Sequence, residues 1–239
     1  MNPHGWLQPI SLIFIAIPLA LILALRLWRR MAIGNSRKEP IPAPTHDINA
    51  PANGWNAGEQ HTAVFAGGCF WGVQSVFQRV KGVTATKVGY AGGDSATAIY
   101  RAVSSMETGH AEAIEIVYNP ALVSFGTLLR IFFSVVHDPT QLNRQGADMG
   151  TQYRSAIFYT NEEQRETAQA YVSQLDAARV FSASIVTDIT PLIKFFEGED
   201  YHQDYALKNP NNPYIQICDI PKIASLKQQF PALFEEYTL

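Results

Sequence analysis

The run Val64-Phe65-Ala66-Gly67-Gly68-Cys69-Phe70-Trp71-Gly72 leaves the chain few ways to fold. A β-type stretch, Thr62 to Ala66, ends at two glycines, and Phe70, Val73, Val76 and Phe77 then recur at helical spacing. This predicts a strand, a sharp turn of the kind glycine permits, and a helix that begins at Cys69. The alternation continues along the chain. Val83 to Tyr90 reads as a second strand closed by Ala91-Gly92-Gly93, and Glu112 to Tyr118 as a third that stops at Asn119-Pro120. Ser124 to Val136 reads as a helix with Phe125, Leu128, Leu129 and Phe132 on one face, and Arg154 to Tyr159 as a fourth strand. Thr160 and Glu163 suggest a capping box before a helix lined on one side by Ala168, Tyr171, Val172 and Leu175. Ser184 to Thr190 is strand-like, and short helices follow near Asp200 to Lys208 and Ile220 to Phe230. There is no internal repeat. The order β-α-β-β-α-β predicts an α+β fold, a two-layer sandwich of ferredoxin-like type.

The chain ahead of this domain differs in character. Trp6 to Leu25 carries no charge. As a helix it reaches about 30 Å, the thickness of a bilayer's hydrocarbon core. Pro18 is tolerable there. The alternative is a cleaved signal peptide, but no positive region precedes the run and no small-x-small site follows it before Arg26. One N-terminal transmembrane helix is therefore expected. Arg26, Arg29, Arg30, Arg37 and Lys38 all follow it, which places the main domain on the cytoplasmic side. Pro40, Pro42, Pro44 and Pro51 make the next segment a semi-extended tether. The expected organisation is an anchor at 1–33, a tether at 34–60 and the main domain at 61–239.

Hydrophobic residues make up 47% of the chain and charged ones 16%, so a sizeable core can form. The net charge of -3 offers no basic stripe for nucleic acid. The two cysteines, Cys69 and Cys218, are too few for a disulfide scaffold and lack zinc spacing, so no metal is expected. Such sparse cysteine usage fits a reducing compartment.

A sulfur at a helix N-terminus meets unpaired N–H groups and the positive end of the dipole, and both favour thiolate. Cys69 is thus a candidate nucleophile; equally, it reads as a buried small residue, the common fate of cysteine. Phe70 and Trp71 belong either to the core or to the wall of an apolar pocket beside the thiol. In the strand Glu112 to Tyr118, Glu112 shares a face with Ile114 and Ile116. If that face meets the core, desolvation raises the carboxyl's pKa and keeps it protonated as an acid; otherwise Glu112 is an ordinary rim carboxylate. Tyr100, Tyr153 and His202 carry no such signal taken singly.

Taken together, the motifs resemble the A-type methionine sulfoxide reductase family. Gly68-Cys69-Phe70-Trp71-Gly72 matches that family's active-site motif. So do Gly89 to Gly93, Tyr100 ahead of Thr108-Gly109-His110-Ala111-Glu112, the His137-Asp138-Pro139 turn, Gln145 to Ser155, and Tyr201-His202-Gln203-Asp204-Tyr205. The likeness spans roughly His61 to Pro231. It implies thiol-dependent reduction of methionine S-sulfoxide, protein-bound or free, through a sulfenic acid on Cys69. It further implies Glu112 as the proton donor, Tyr100 and Tyr153 as hydroxyl donors, and Phe70 and Trp71 as the seat of the S-methyl group. Asp148 and His202 are implied as a supporting polar shell. No bound cofactor is implied; reducing equivalents come from thioredoxin or another thiol.

The sequence departs from that pattern in three places. Met106 stands where many relatives have glycine, and the apolar N-terminal run lies outside the common core. Many relatives carry a resolving cysteine in a glycine-rich tail or directly after a Pro-Tyr pair, whereas Cys218 follows Pro213-Tyr214 at a distance. Tyr214 to Cys218 reads as a short ordered strand between Pro213 and Pro221. Cys218 is a possible resolving thiol, but an inefficient one is expected, with an external thiol attacking the sulfenic acid instead. Two other functional classes stay open on the residues alone: a cysteine hydrolase or acyltransferase using His110 or His202 as base, and a non-catalytic, membrane-tethered binding module.

Overall fold

A computed structural model describes residues 39–56 and 58–238. The apolar run Trp6 to Leu25, and with it the expected membrane helix, lies outside the described residues. Among the described residues no helix is long and apolar enough to cross a membrane.

The elements follow in order β1 (His61–Gly67), α1 (Phe70–Phe77), β2 (Val83–Ala91), α2 (Tyr100–Val103), β3 (Ala111–Tyr118), α3 (Phe125–Ile131), β4 (Arg144–Gln145), β5 (Asp148–Met149), β6 (Ser155–Tyr159), α4 (Glu162–Ala177), β7 (Asp188–Pro191), β8 (Phe195–Glu197), α5 (Tyr205–Lys208) and α6 (Ile220–Gln229). Six strands form one mixed sheet in the order β7-β6-β1-β3-β2-β8, and β4 pairs with β5 in a small hairpin. Only the β6–β7 pair is parallel. The central strands β6, β1, β3 and β2 are those the periodicity predicts. The sheet is wider than the expected sandwich because an edge strand is added at each side.

Alternation along β1 and β3 sorts side chains onto two faces. Phe65, Ile114, Ile116 and Tyr118 face a core shared with Val73, Phe77, Leu128, Phe132 and Tyr171 of the helical layer. The other face carries Val64, Ala66, Ala111, Ala113 and Ala156, mostly small, capped by Leu192 and Phe195. Leu192 lies in the link between β7 and β8 and Phe195 opens β8; the two strands lie at opposite edges. Six strands laid flat would put the edges about 24 Å apart, yet the chain from Pro191 to Phe195 reaches at most about 14 Å. The sheet must therefore curl, and the small side chains on its inner face allow it to.

Several local expectations need correction. The cap of α4 is Asn161, whose side chain accepts from Gln164 N–H at 2.9 Å, not Thr160. Gln164 Oε1 in turn accepts from the N–H of Thr160, the residue before the cap, at 3.0 Å. β7 begins at Asp188 rather than Ser184. At three residues, β8 is too short to show an alternation. Ile215 to Asp219 is a π-helical turn leading into α6, not a strand. Four residues cannot distinguish the two periods, and Pro221 fits the first turn of a helix.

The proline-rich segment is not a free spacer throughout. Ile41 is buried, donates its N–H to Ser134 Oγ at 3.3 Å, and accepts from Arg130 Nε at 2.6 Å. Tyr171 Oη donates to Pro42 O at 2.6 Å, and Gln174 brackets Ala43 and Thr45. Asp47 accepts from Gly126 N–H at 2.8 Å in the first turn of α3. Residues 41–48 thus form a strap docked on α3 and α4. Replacing Ile41 by Ala should cost about 2–5 kcal/mol of stability, the usual range for a fully buried isoleucine. Urea titration of a protein lacking residues 1–33 measures this directly; a shift below about 0.5 kcal/mol would show that the strap contributes little.

Candidate active site

β1 delivers the chain to Gly67-Gly68. Gly68 has φ +90°, which favours glycine, and a side chain there would collide with Gln145. A side chain at Gly67 would strike Phe132 and His137. Two glycines are thus needed for close approach as well as for the turn. Cys69 follows as the N-cap residue of α1 and is only 8% exposed.

β3 supplies the acid. Glu112 pairs across from Tyr90 of β2 and shares the helix-covered face with Ile114 and Ile116, as alternation predicts. Its side chain is buried, and its Oε2 accepts from Phe70 N–H at 3.1 Å. Burial pushes its pKa up to about 8; the Phe70 N–H opposes this and the charge of Asp148 adds to it. At neutral pH the carboxyl is therefore mostly protonated.

The expected thiolate is not the resting state of Cys69. Burial raises its pKa well above the ordinary thiol value; Glu112, once ionised, and Asp219 add to this, and only the Trp71 backbone N–H pulls it down among the main influences. Burial is the main reason, and the helix terminus does little to offset it. The Phe70 N–H serves Glu112 instead of the sulfur. The resting sulfur is a thiol, and the acid beside it is neutral.

A cavity of ≈ 130 Å³ opens in front of this pair. Phe70 and Trp71 line its apolar side, while Tyr100, Asp148, Tyr153 and Tyr214 contribute polar groups. Burial raises the phenol pKa of Tyr100, and for Tyr153 burial and then Glu112 do the same, so both hydroxyls are donors at neutral pH. Tyr214 Oη donates to Asp148 Oδ2 at 2.5 Å. A larger groove, lined by Arg154, Phe158, Asp188 and Lys194, contains no thiol.

His202 does not line the cavity. It is buried behind it, where Nδ1 accepts from Trp71 Nε1 at 3.2 Å and the ring packs 4.5 Å from that of Tyr100. Burial lowers its pKa, so it stands neutral. His110 is also committed elsewhere. Nδ1 accepts from Gly93 N–H at 3.2 Å and Nε2 donates to Asp94 O at 2.9 Å. Among the described residues no histidine lines the Cys69 cavity, which removes the base that a cysteine hydrolase requires.

A family model for peptide methionine sulfoxide reductases matches residues 61–233. The chain belongs to that family. The peptide methionine sulfoxide reductase MsrA 2 of Synechocystis is 52% identical over 80% of this chain and 88% of its own length. The MsrA 2 of Mesorhizobium japonicum is 55% identical over 73% of this chain and 90% of its own. Among solved structures, methionine sulfoxide reductase A of Corynebacterium diphtheriae superposes with a TM-score of 0.56 at 35% identity, covering 75% of this chain and 88% of that one.

Three contributors escape sequence reasoning. Tyr214 holds Asp148 and closes one wall of the cavity; in the sequence it marks only a Pro-Tyr pair. Tyr205 stacks on Trp71 at 3.8 Å and 13°, fixing the indole. Glu199 accepts from Tyr90 Oη at 2.7 Å and from Tyr100 N–H at 2.8 Å, which sets where Tyr100 begins its helix. Met106 has φ +69°, the left-handed region where glycine is easiest.

An acid role for Glu112 would carry a definite pH signature. Its proton is held below about pH 8 and lost as pH rises through that value, so activity that depends on it should fall on the alkaline side. In Glu112→Gln the rate should drop by about 10²–10⁴, the usual worth of a general acid, and that alkaline limb should vanish. An unchanged pH profile of kcat/KM in the variant would remove Glu112 from the acid role.

Proposed function

We propose that the chain reduces methionine S-sulfoxide to methionine, in proteins or free, with Cys69 as nucleophile and Glu112 as proton donor. The carrying observation is that both groups are tied to the first turn of α1 and face one cavity with two phenol donors. A sulfoxide oxygen is a poor leaving group until it is protonated, so a thiol nucleophile needs an acid across the sulfur. Phe70 and Trp71 supply the apolar seat for the S-methyl group, and Tyr100 and Tyr153 direct hydroxyls at the oxygen. As the Cys69 sulfur attacks the sulfoxide sulfur, Glu112 gives its proton to the oxygen, and the thiol proton replaces it. The S–O bond to the substrate breaks as the oxygen bonds to Cys69 Sγ, the S–S bond just formed breaks with its electron pair returning to the substrate sulfur, and methionine leaves with Cys69 as a sulfenic acid. Asp148, fixed by Tyr214, holds the polar wall, and His202 orients Trp71.

Two thiols are needed to return a sulfenic acid to a thiol, and the chain has one other cysteine. The reducing equivalents are therefore external, from thioredoxin or a comparable dithiol. Cys69→Ser should abolish turnover of a methionine S-sulfoxide with dithiothreitol, because a serine hydroxyl is a poor nucleophile toward sulfur. Activity within about tenfold of the parent would contradict the assignment.

The reading extends to where the enzyme works. The uncharged run Trp6 to Leu25, followed by five basic residues from Arg26 to Lys38, supports a single N-terminal anchor with the catalytic domain on the cytoplasmic side. A chain lacking residues 1–33 should be soluble and fully active, since it keeps the docked strap and every site residue. The full-length chain should pellet with membranes and resist carbonate extraction. Recovery of the intact full-length chain in the soluble fraction would refute the anchor.

A further inference from the structure

The Cys69 thiol opens onto two spaces. One is the substrate cavity. The other is a small crevice behind it, lined by Cys69, Gln145, Cys218 and Lys222. Asp148 and Tyr214 border both spaces, so their 2.5 Å hydrogen bond is the partition between them. Cys218 reaches the crevice because Ile215 to Asp219 coils as a π-helical turn; an extended strand would alternate its side chains differently.

Beneath the crevice lies Asp219, with no exposed surface and neither carboxylate oxygen receiving a hydrogen bond. A buried carboxylate in that condition is costly and calls for a reason. Its nearest cation is Lys222, whose Nζ lies 3.5 Å from Oδ1 and whose side chain is 13% exposed. The pair is pressed against α1: any side chain at Gly72 would overlap both Asp219 Oδ1 and Lys222 Nζ. The first helical turn after the nucleophile thus leaves room for an ion pair that the reduction step does not use.

We propose that Lys222, held by Asp219, is a positioning residue for the second half-reaction: it sets a cation over the rear crevice so that Cys218 ionises there and attacks the sulfenic acid of Cys69. This rests on the reading that Cys69 forms a sulfenic acid. In the step, Cys218 Sγ bonds to Cys69 Sγ and the S–O bond of the sulfenic acid breaks. The thiol proton leaves with the hydroxyl as water, and the two cysteines end as a disulfide. The groups facing Cys218 are Asp219, Lys222, Asp148 and Tyr214. Burial and then Asp219 push the Cys218 thiol up to about 11, while Lys222 pulls it down. Removing the ammonium should therefore deplete the attacking thiolate. This replaces the expectation that Cys218 resolves inefficiently, which rested on an extended, proline-locked segment.

The test is a single turnover with methionine sulfoxide and no reductant. Released methionine is followed alongside the Cys69–Cys218 disulfide and the dimedone adduct of Cys69, read by mass spectrometry. The parent should give a disulfide with little dimedone labelling, forming faster as pH rises. Lys222→Gln should slow disulfide formation relative to methionine release by about tenfold, the change in thiolate fraction for one pKa unit, and Cys69 should then trap dimedone. Lys222→Arg should recover most of the rate. Methionine release with free Cys218 in the parent would overturn the proposal. So would a disulfide rate in Lys222→Gln that keeps its parental ratio to methionine release. Absence of methionine release from the parent would instead strike the reductase reading itself.

Discussion

The hydrogen bond from Phe70 N–H to Glu112 Oε2, 3.1 Å long, joins the two halves of the chemistry. It ties the first turn of α1 to β3, so the nucleophile's loop and the acid's strand cannot drift apart independently. It also moderates the charge state of the site, which burial sets. A carboxyl placed among Phe70, Tyr90 and Tyr153 would be driven to stay neutral by burial alone, and the single N–H tempers that shift instead of reversing it. Burial raises the Cys69 thiol in the same way, and with the Phe70 N–H engaged by Glu112 the site rests with both groups protonated.

The wider site depends on aromatic and polar supports that hold this pair's neighbours. Tyr205 stacks on Trp71, His202 accepts from the indole nitrogen, and Glu199 anchors the start of α2 at Tyr100. None of these touches the sulfur. Each fixes a side chain that does line the cavity, which is how a small pocket built from loops attains the precision that reaction geometry demands.

Much of this was legible in the sequence, for physical reasons. The strand-to-helix turn at Gly67-Gly68 was readable because two glycines at a junction leave few alternatives. The placement of Glu112 was readable because a strand's period of two carries Ile114 and Ile116 to the same face. What was not legible depended on long-range contact. The docked strap at Ile41 to Ile48 has a proline-rich composition that reads as a spacer, and partners far along the chain, Gly126, Arg130, Ser134, Tyr171 and Gln174, make it part of the domain. Tyr214 and Glu199 act through partners 66 and 99 residues away in sequence. The resting thiol was missed because helix-terminus reasoning counts donors without weighing the burial that opposes them. Cys218 was misplaced because four alternating residues fit two periods equally well.

The curl of the sheet has a consequence for the company this enzyme keeps. A chain that repairs oxidised methionines meets polypeptides that are damaged and partly unfolded, with backbone groups free to pair. A flat sheet with two long open edges would template them. Here the edge strands β7 and β8 are four and three residues long, and the short link from Pro191 to Phe195 draws them toward each other across the inner face. The same geometry that forces alanines into the sheet's interior thus leaves little edge on which a client chain could nucleate, so a substrate can be held by one side chain without being captured along its backbone.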